Sequence, residues 1–273
     1  MKEKYKNKII TMAHGSGGKV AHDLIVDIFV SQFDNDLLAD MEDQARFDLP
    51  EGKVVMTTDS YVVSPLFFAG GNIGKLAVTG TVNDLAMSGA SPLYLSCGLV
   101  LEEGFSIATL YEIIQSMQET AQEADVRIIC GDTKVVEKGS ADQVFINTTG
   151  IGVISQDVDI RTTKAQAGDK IIANGYVGDH AATIMQARAE LAISADIASD
   201  CQPLNHLVTT MIGTSGKIHA MRDATRGGVA TVLKEIAQNS KVCISLEEEA
   251  IPVRPTTRGV CEILGLDPLI PGQ

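Results

Sequence analysis

The chain has 273 residues, 45% of them hydrophobic and 21% charged, with a formal net charge of −13. That length exceeds one ordinary domain, so two are expected, with ample apolar material for their cores. The negative balance argues against nucleic acid or an anionic membrane as the main partner, and an anionic ligand would need a metal ion and a few placed lysines to neutralise it. Aromatic residues are scarce at 4%, with no Trp, which favours a helix-and-sheet protein over an aromatic-rich binding surface.

Five widely spaced cysteines (Cys97, Cys130, Cys201, Cys243 and Cys261) include no C-x-x-C pair. They read as buried free thiols in a reducing cytoplasm. The charged residues 1–8 precede no long apolar run, so no signal peptide is expected. No segment approaches the roughly 20 apolar residues of a membrane helix, and the protein is expected to be soluble and cytoplasmic.

Taken in order, the first landmark is the loop His14, Gly15, Ser16, Gly17 and Gly18, with Lys19 beside it. Its glycines allow positive φ and expose backbone N–H groups as a phosphate cradle requires, and a helix over 20–33 adds its N-terminal dipole. A flexible linker is the competing reading, since the loop fits neither G-x-x-x-x-G-K-[ST] nor G-x-G-x-x-G. A strand over 53–60 follows and carries Asp59.

The stretch 75–92 reads as a helix with Asn72 as its N-cap and Gly89 as its left-handed C-terminal cap. Its interior is built from small residues (Ala77, Thr79, Gly80, Thr81, Ala86, Ser88). Gly80 lies one turn before Asp84, so a backbone or a ligand can come close to that carboxylate. Two readings stay open here: a tightly packed core helix with Asp84 near its solvated end, or a helix built to approach a polar ligand.

A strand over 93–101, a helix capped by Ser106, a strand over 126–130 running into 131–134, and a strand over 143–154 complete an α/β or α+β layer fold. The polar stretch 155–167 is the best domain boundary, giving domains at 1–155 and 156–273. The second half reads as a strand over 170–174, an Ala-rich helix after His180, and a helix over 203–211. The polar stretch 217–228, a helix over 229–238, a strand over 242–246 and a helix over 258–264 follow. This is a thin domain, and it is expected to be truncated.

Templates for zinc and for a nucleophile elbow fail. What recurs is Asp59, Asp132 and Asp223, each after a strand-like stretch, with Asp84 on the small-faced helix. Carboxylates at strand ends beside glycines present hard oxygen ligands to magnesium and a polyphosphate. Any one such Asp is more often a turn or helix cap. Four of them, joined by Lys134 and a Gly-rich loop, favour a nucleotide site.

The stretches 14–18, 57–60, 80–92, 131–134 and 222–228 resemble the ATP-binding superfamily of aminoimidazole ribonucleotide synthetase, and more closely the HypE family of carbamoyl dehydratases in nickel–iron hydrogenase maturation. Supporting stretches are 65–68, 178–180, 200–204 and 264–269. The resemblance implies a two-domain fold whose N-terminal domains pair into a dimeric β-barrel, with ATP in a cleft shared by the two subunits. It implies ATP-dependent dehydration of an S-carbamoyl cysteine to a thiocyanate, the cyanide donor for iron. Carried onto this chain, Asp59, Asp84 and Asp223 would hold Mg2+. Asn83, Asp132 and Thr133 would line the triphosphate, residues 14–18 would close over it, and Lys134 would act with Asp84 in catalysis.

Implied partners are a second copy, the carbamoyltransferase HypF, and the HypC–HypD iron scaffold complex. The family continues past 264–269 to a C-terminal Pro-Arg-Ile-Cys, so the 273 residues by themselves are expected to lack the acceptor cysteine and to be inactive. Alternatives are a selenophosphate synthetase, which would carry a Cys or selenocysteine in the first Gly-rich segment, and a non-catalytic ATP-binding dimer.

Overall fold

The structure, a computed structural model, describes residues 1–188, 196–215 and 217–269. Its centre is a four-stranded sheet of β1 (Lys53–Tyr61), β4 (Ser91–Glu102), β5 (Arg127–Val136) and β6 (Val144–Ile154), in the order β1-β6-β4-β5. A short hairpin of β2 (Phe67–Phe68) and β3 (Gly71–Asn72) stands apart from it. β6 runs antiparallel to β1 and β4, while β4 and β5 are parallel and are joined by helix α5 (Ile107–Glu123), the long crossover that parallel neighbours require.

Period-two burial sorts the sheet into two faces. Leu95, Cys97, Leu99 and Leu101 of β4, with Val144, Ile146 and Thr148 of β6, are buried beneath α5 and the central helix α4 (Ile73–Met87). Leu110, Ile113, Ile114, Met117 and Ala121 of α5 supply the other half of this core. Asn72 caps α4 by accepting from the N–H groups of Gly74 and Lys75 at 2.9 and 3.0 Å, and Ser106 caps α5 by accepting from Thr109. Gly89 ends the first of these helices at φ +82°. The small residues of α4 have a packing reason: a Cβ on Gly74 would stand 2.4 Å from the carbonyl oxygen of Ile113 in α5.

The opposite face of the sheet is covered by no helix at its middle, among the described residues. It exposes Val54, Met56 and Val62 at 54%, 67% and 63%, and Tyr94, Ser96 and Val100 of β4 are half-buried there. Ahead of the sheet, α1 (Gly18–Leu24) runs through a π-helical stretch, Ile25–Val30, into α2 (Ser31–Phe33), and α3 (Asp36–Ala39) follows. The expected continuous helix over 20–33 is therefore widened in its middle.

The second half contributes α6 (Asp179–Arg188), α7 (Asn205–Thr214), α8 (Gly228–Ser240) and α9 (Pro255–Leu264). The strands expected over 170–174 and 242–246 are absent. Both stretches lack a ladder partner among the described residues, and a short apolar run without a neighbour to bond forms no sheet. Ile172 is accordingly 83% exposed. Cys243 is exposed for the same reason, correcting the expectation that all five thiols are buried, and Cys130 and Cys201 are only half-buried. All five are free. Among the described residues no helix is long and apolar enough to cross a membrane.

Candidate active site

Asp59, Asp84 and Asp223 come within electrostatic reach of one another where β1, α4 and the segment before α8 approach. Asp59 lies inside β1, two residues before its end, close to where the expected strand over 53–60 placed it. Its alternation partners Thr57 and Tyr61 face α4. Thr57 Oγ1 donates to Asp84 Oδ2 at 2.9 Å, and the Tyr61 hydroxyl lies 3.2 Å from Thr81 Oγ1. Thr81 in turn lies 2.5 Å from Thr148 Oγ1, which donates to the Ala77 carbonyl at 3.0 Å. This buried hydroxyl chain sets the height of β1 against α4, and with it the placement of Asp59 beside Asp84. Gly80 is required by the same contact, since a Cβ there would stand 2.3 Å from the Tyr61 hydroxyl.

Asp223 sits in irregular chain, not after a strand, and is half-buried. Burial, then the nearby Asp84, raises its carboxyl above the usual range. Asp84 is raised too, first by burial and then by Asp59, against the bond from Thr57 and the charges of Arg222 and Arg226. Burial also pushes the Tyr61 hydroxyl upward. Burial and mutual repulsion thus act on Asp84 and Asp223, offset in part by Arg222 and, at Asp84, by Arg226. The donor set, oxygen only, fits a magnesium ion that Asp59, Asp84 and Asp223 could hold. Among the described residues, however, no group of three or more His, Cys, Asp or Glu side chains is gathered as a ready metal site.

Arg226 was not singled out from the sequence, yet its Nη2 lies 3.0 Å from Asp59 Oδ1. The signal for it was present, because Arg222 and Arg226 flank Asp223 in one polar stretch. Asn83 takes a different part. Its Nδ2 donates to the Gln202 carbonyl at 3.1 Å, and its Oδ1 accepts from the Leu204 N–H at 2.8 Å. Its amide is thus engaged with the segment before α7, and does not face the carboxylates.

A second group gathers at the other edge of the sheet. Asp132, Thr133 and Lys134 lie in the middle of β5. Lys134 Nζ lies 2.8 Å from Asp132 Oδ2, and that bond, ahead of the Thr133 N–H, holds the Asp132 carboxyl below its usual range. The glycine-rich loop packs here: a Cβ on Gly15 would meet Val135 Cβ at 2.7 Å. His14 is half-buried and accepts from the Thr11 N–H through Nδ1, closing its own turn. Ser16 Oγ donates to Ala13, and Gly17 and Gly18 take φ of +81° and +74°.

Within one chain these two groups stay apart. β1 and β5 are the outer strands of four, roughly 14 Å from edge to edge at the usual spacing. Asp132 and Lys134 pair with Gly98 and Val100 on the open face, whereas Asp59 and Thr148 lie under α4.

Two family models account for most of the chain: AIR synthase related protein, N-terminal domain, over residues 41–154, and the C-terminal domain over residues 166–270. Carbamoyl dehydratase HypE of Bradyrhizobium diazoefficiens is 52% identical over 265 residues, covering 97% of this chain and 77% of that protein. A crystal structure of hydrogenase maturation protein HypE in complex with ATP superposes with a TM-score of 0.92 at 49% identity, covering 95% of this chain and 77% of that one. A HypE–HypF complex superposes with a TM-score of 0.78 at 47% identity, covering 90% and 80%. At this identity and coverage, the chain belongs to the HypE carbamoyl dehydratase family of the AIR synthase related proteins.

Proposed function

We propose that the protein uses ATP to dehydrate an S-carbamoyl cysteine to a thiocyanate, supplying cyanide ligands to the iron of a nickel–iron hydrogenase. The observation that carries this reading is the mutual approach of Asp59, Asp84 and Asp223, three oxygen donors from separate parts of the chain. A magnesium ion held by them would draw charge off a polyphosphate. ATP comes to this chain from the HypE relative that binds it.

The carbamoyl oxygen attacks the γ-phosphoryl group, ADP leaves, and loss of phosphate with both amide protons turns the carbon–nitrogen bond into a nitrile. Carbamoyl thioester and ATP thus become thiocyanate, ADP and phosphate. Lys134 would offset charge developing on the transferring group, and residues 14–18 with Asp132 and Thr133 would hold the phosphates. Asn83, tied to residues 202–204, would orient this wall without touching the ligand.

The separation of the two groups favours a homodimer in which the open sheet faces pair, bringing Lys134 of one copy toward Asp84 of the other. An apolar face left uncovered at its middle is one a second sheet can cover. Residues 1–155 would bind ATP and dimerise, and residues 156–273 would close the cleft. HypF is the proposed carbamoyl supplier, after the relative found in complex with it, and a HypC–HypD complex the proposed acceptor of cyanide. Five free thiols suit the cytoplasm.

The test incubates the chain with magnesium, ATP and an S-carbamoyl-cysteine peptide, following ADP release and peptide mass. Loss of one water from the peptide, matched to ADP and abolished by Lys134→Ala, is expected. ATP bound while the carbamoyl peptide returns intact would refute dehydration.

A further inference from the structure

Residues 196–204 form neither helix nor strand, yet hydrogen bonds hold them at both ends. At one end the Ser199 N–H donates to the Ala69 carbonyl at 2.8 Å. Ser199 Oγ lies 2.9 Å from His180 Nδ1 and accepts from the Cys201 N–H at 3.2 Å. At the other end the Asn83 amide takes the Gln202 carbonyl and the Leu204 N–H. The stretch is thus anchored on the β2–β3 hairpin, on α6 and on α4.

The His180 ring also stands edge-on to Phe68 of the hairpin, with centroids 5.4 Å apart and planes at 77°. This side chain from the second half therefore reaches into the first. Gly70, at φ +90°, lets the strands of chain close up, since a Cβ there would meet the Ser199 carbonyl oxygen at 2.6 Å. The stretches 65–68, 178–180 and 200–204, which take no part in the chemistry proposed so far, meet in this one place.

We propose that His180 is a positioning residue for the nucleotide site: through Ser199 it fixes residues 199–204 as a strap, and the strap fixes the Asn83 amide, one residue from Asp84 on α4. This inference rests on the nucleotide reading above.

The chemistry of the contact suits a buckle. Burial lowers the proton affinity of His180, against the charge of Asp200, so at pH 7 the ring is neutral and one nitrogen accepts. Ser199 Oγ already receives the Cys201 N–H and keeps its own proton to donate to Nδ1. Charged neighbours on α6 are engaged elsewhere: Asp179 with Arg254 at 2.8 Å and with Thr257, and Arg188 Nε with the Ser64 carbonyl at 2.6 Å. A stretch with no ladder of its own keeps its shape only through such bonds, so losing the one at His180 loosens the strap and leaves the cores folded. Asn83 then loses its fixed partners beside Asp84.

Hydrogen exchange and calorimetry on the whole chain test this with the parent, His180→Ala, Ser199→Ala and His180→Asn. Both Ala variants should exchange the Cys201 and Leu204 amides about tenfold faster, with β4 and α5 as protected as in the parent. They should also bind magnesium-ATP about fivefold more weakly. His180→Asn, whose side-chain amide can meet Ser199 in place of Nδ1, should recover both. If His180→Ala fails to fold, Ser199→Ala carries the test by itself. Unchanged exchange at Cys201 and Leu204 in a folded Ala variant would overturn the strap. Protection lost equally in β4 and α5, or faster strap exchange with magnesium-ATP affinity unmoved, would overturn the positioning role alone. No magnesium-ATP binding by the parent would overturn the nucleotide reading and the positioning role together.

Discussion

Asp84→Asn should move stability and ligand affinity in opposite directions. The carboxylate is half-buried on α4, and burial followed by repulsion from Asp59 raises its proton affinity. A group whose folded carboxyl is raised is less stable ionised in the folded chain than in the unfolded one, so at neutral pH its charge opposes folding. Asn keeps the shape and can still accept from Thr57 Oγ1, now 2.9 Å from Oδ2. Removing the charge should therefore stabilise the ligand-free chain by about 0.5–1 kcal/mol, discounted for partial exposure. For a chain of this length that is a rise in Tm of about 1–4 °C. The same change removes one of three oxygen donors from a divalent ion, and magnesium-ATP affinity should fall more than about tenfold, near 1.4 kcal/mol. Melts without ligand and calorimetry with magnesium-ATP read the two effects separately. A lower Tm with unchanged affinity would refute the reasoning, and would make Asp84 a structural anchor for β1 through Thr57.

Gly80→Ala should destabilise despite the better helix propensity of Ala, because the new Cβ would meet the Tyr61 hydroxyl at 2.3 Å. Overpacking of about 1–3 kcal/mol outweighs a propensity gain near 1 kcal/mol, and adding Tyr61→Phe should restore part of the loss in thermal melts. At the N-terminus, Asp27 is buried and bonded to Lys2, Lys4 and Tyr5, with Lys4 Nζ at 2.6 Å and the Tyr5 hydroxyl at 3.1 Å. The bond from Lys2, then that from Lys4, lowers its carboxyl from 3.8 to about 2. A depressed carboxyl stabilises the fold above its unfolded value and loses that contribution as pH falls from near 4 toward 2. Asp27→Asn should cost about 1–2 kcal/mol at pH 7 after screening at the exposed lysines, with the gap to the parent closing below pH 3 in acid melts.

What was legible in the sequence was local or periodic. Asn72 and Gly89 frame α4 because a cap acts on backbone within a few residues, and α5 shows its buried stripe from Leu110 to Ala121 at helical spacing. The relation between Thr57 and Asp84 was hidden, since it depends on how high β1 sits against α4, which Tyr61, Thr81 and Thr148 decide jointly. Arg226 escaped for a similar reason: its partner Asp59 is set by the packing of the two halves of the chain. The contacts of Asn83, which the family resemblance places along the triphosphate, were equally hidden, since its amide bonds to Gln202 and Leu204 across more than a hundred residues. The short apolar run over 170–174 mimicked a strand, because apolar pattern records the side chains and says nothing of a hydrogen-bonding neighbour.

The central claim is that ATP-dependent dehydration occurs in a site shared between two copies, with Asp84 from one and Lys134 from the other. Mixing two inactive variants, Asp84→Asn and Lys134→Ala, after dissociation and reassociation tests it directly. In a mixed dimer one site collects both defects and the other collects none. Random pairing should then recover about a quarter of the parent's rate of peptide dehydration, with each variant alone near zero. No recovery from mixtures shown to contain mixed dimers would contradict the shared site, and would require Asp84 and Lys134 to meet within a single chain.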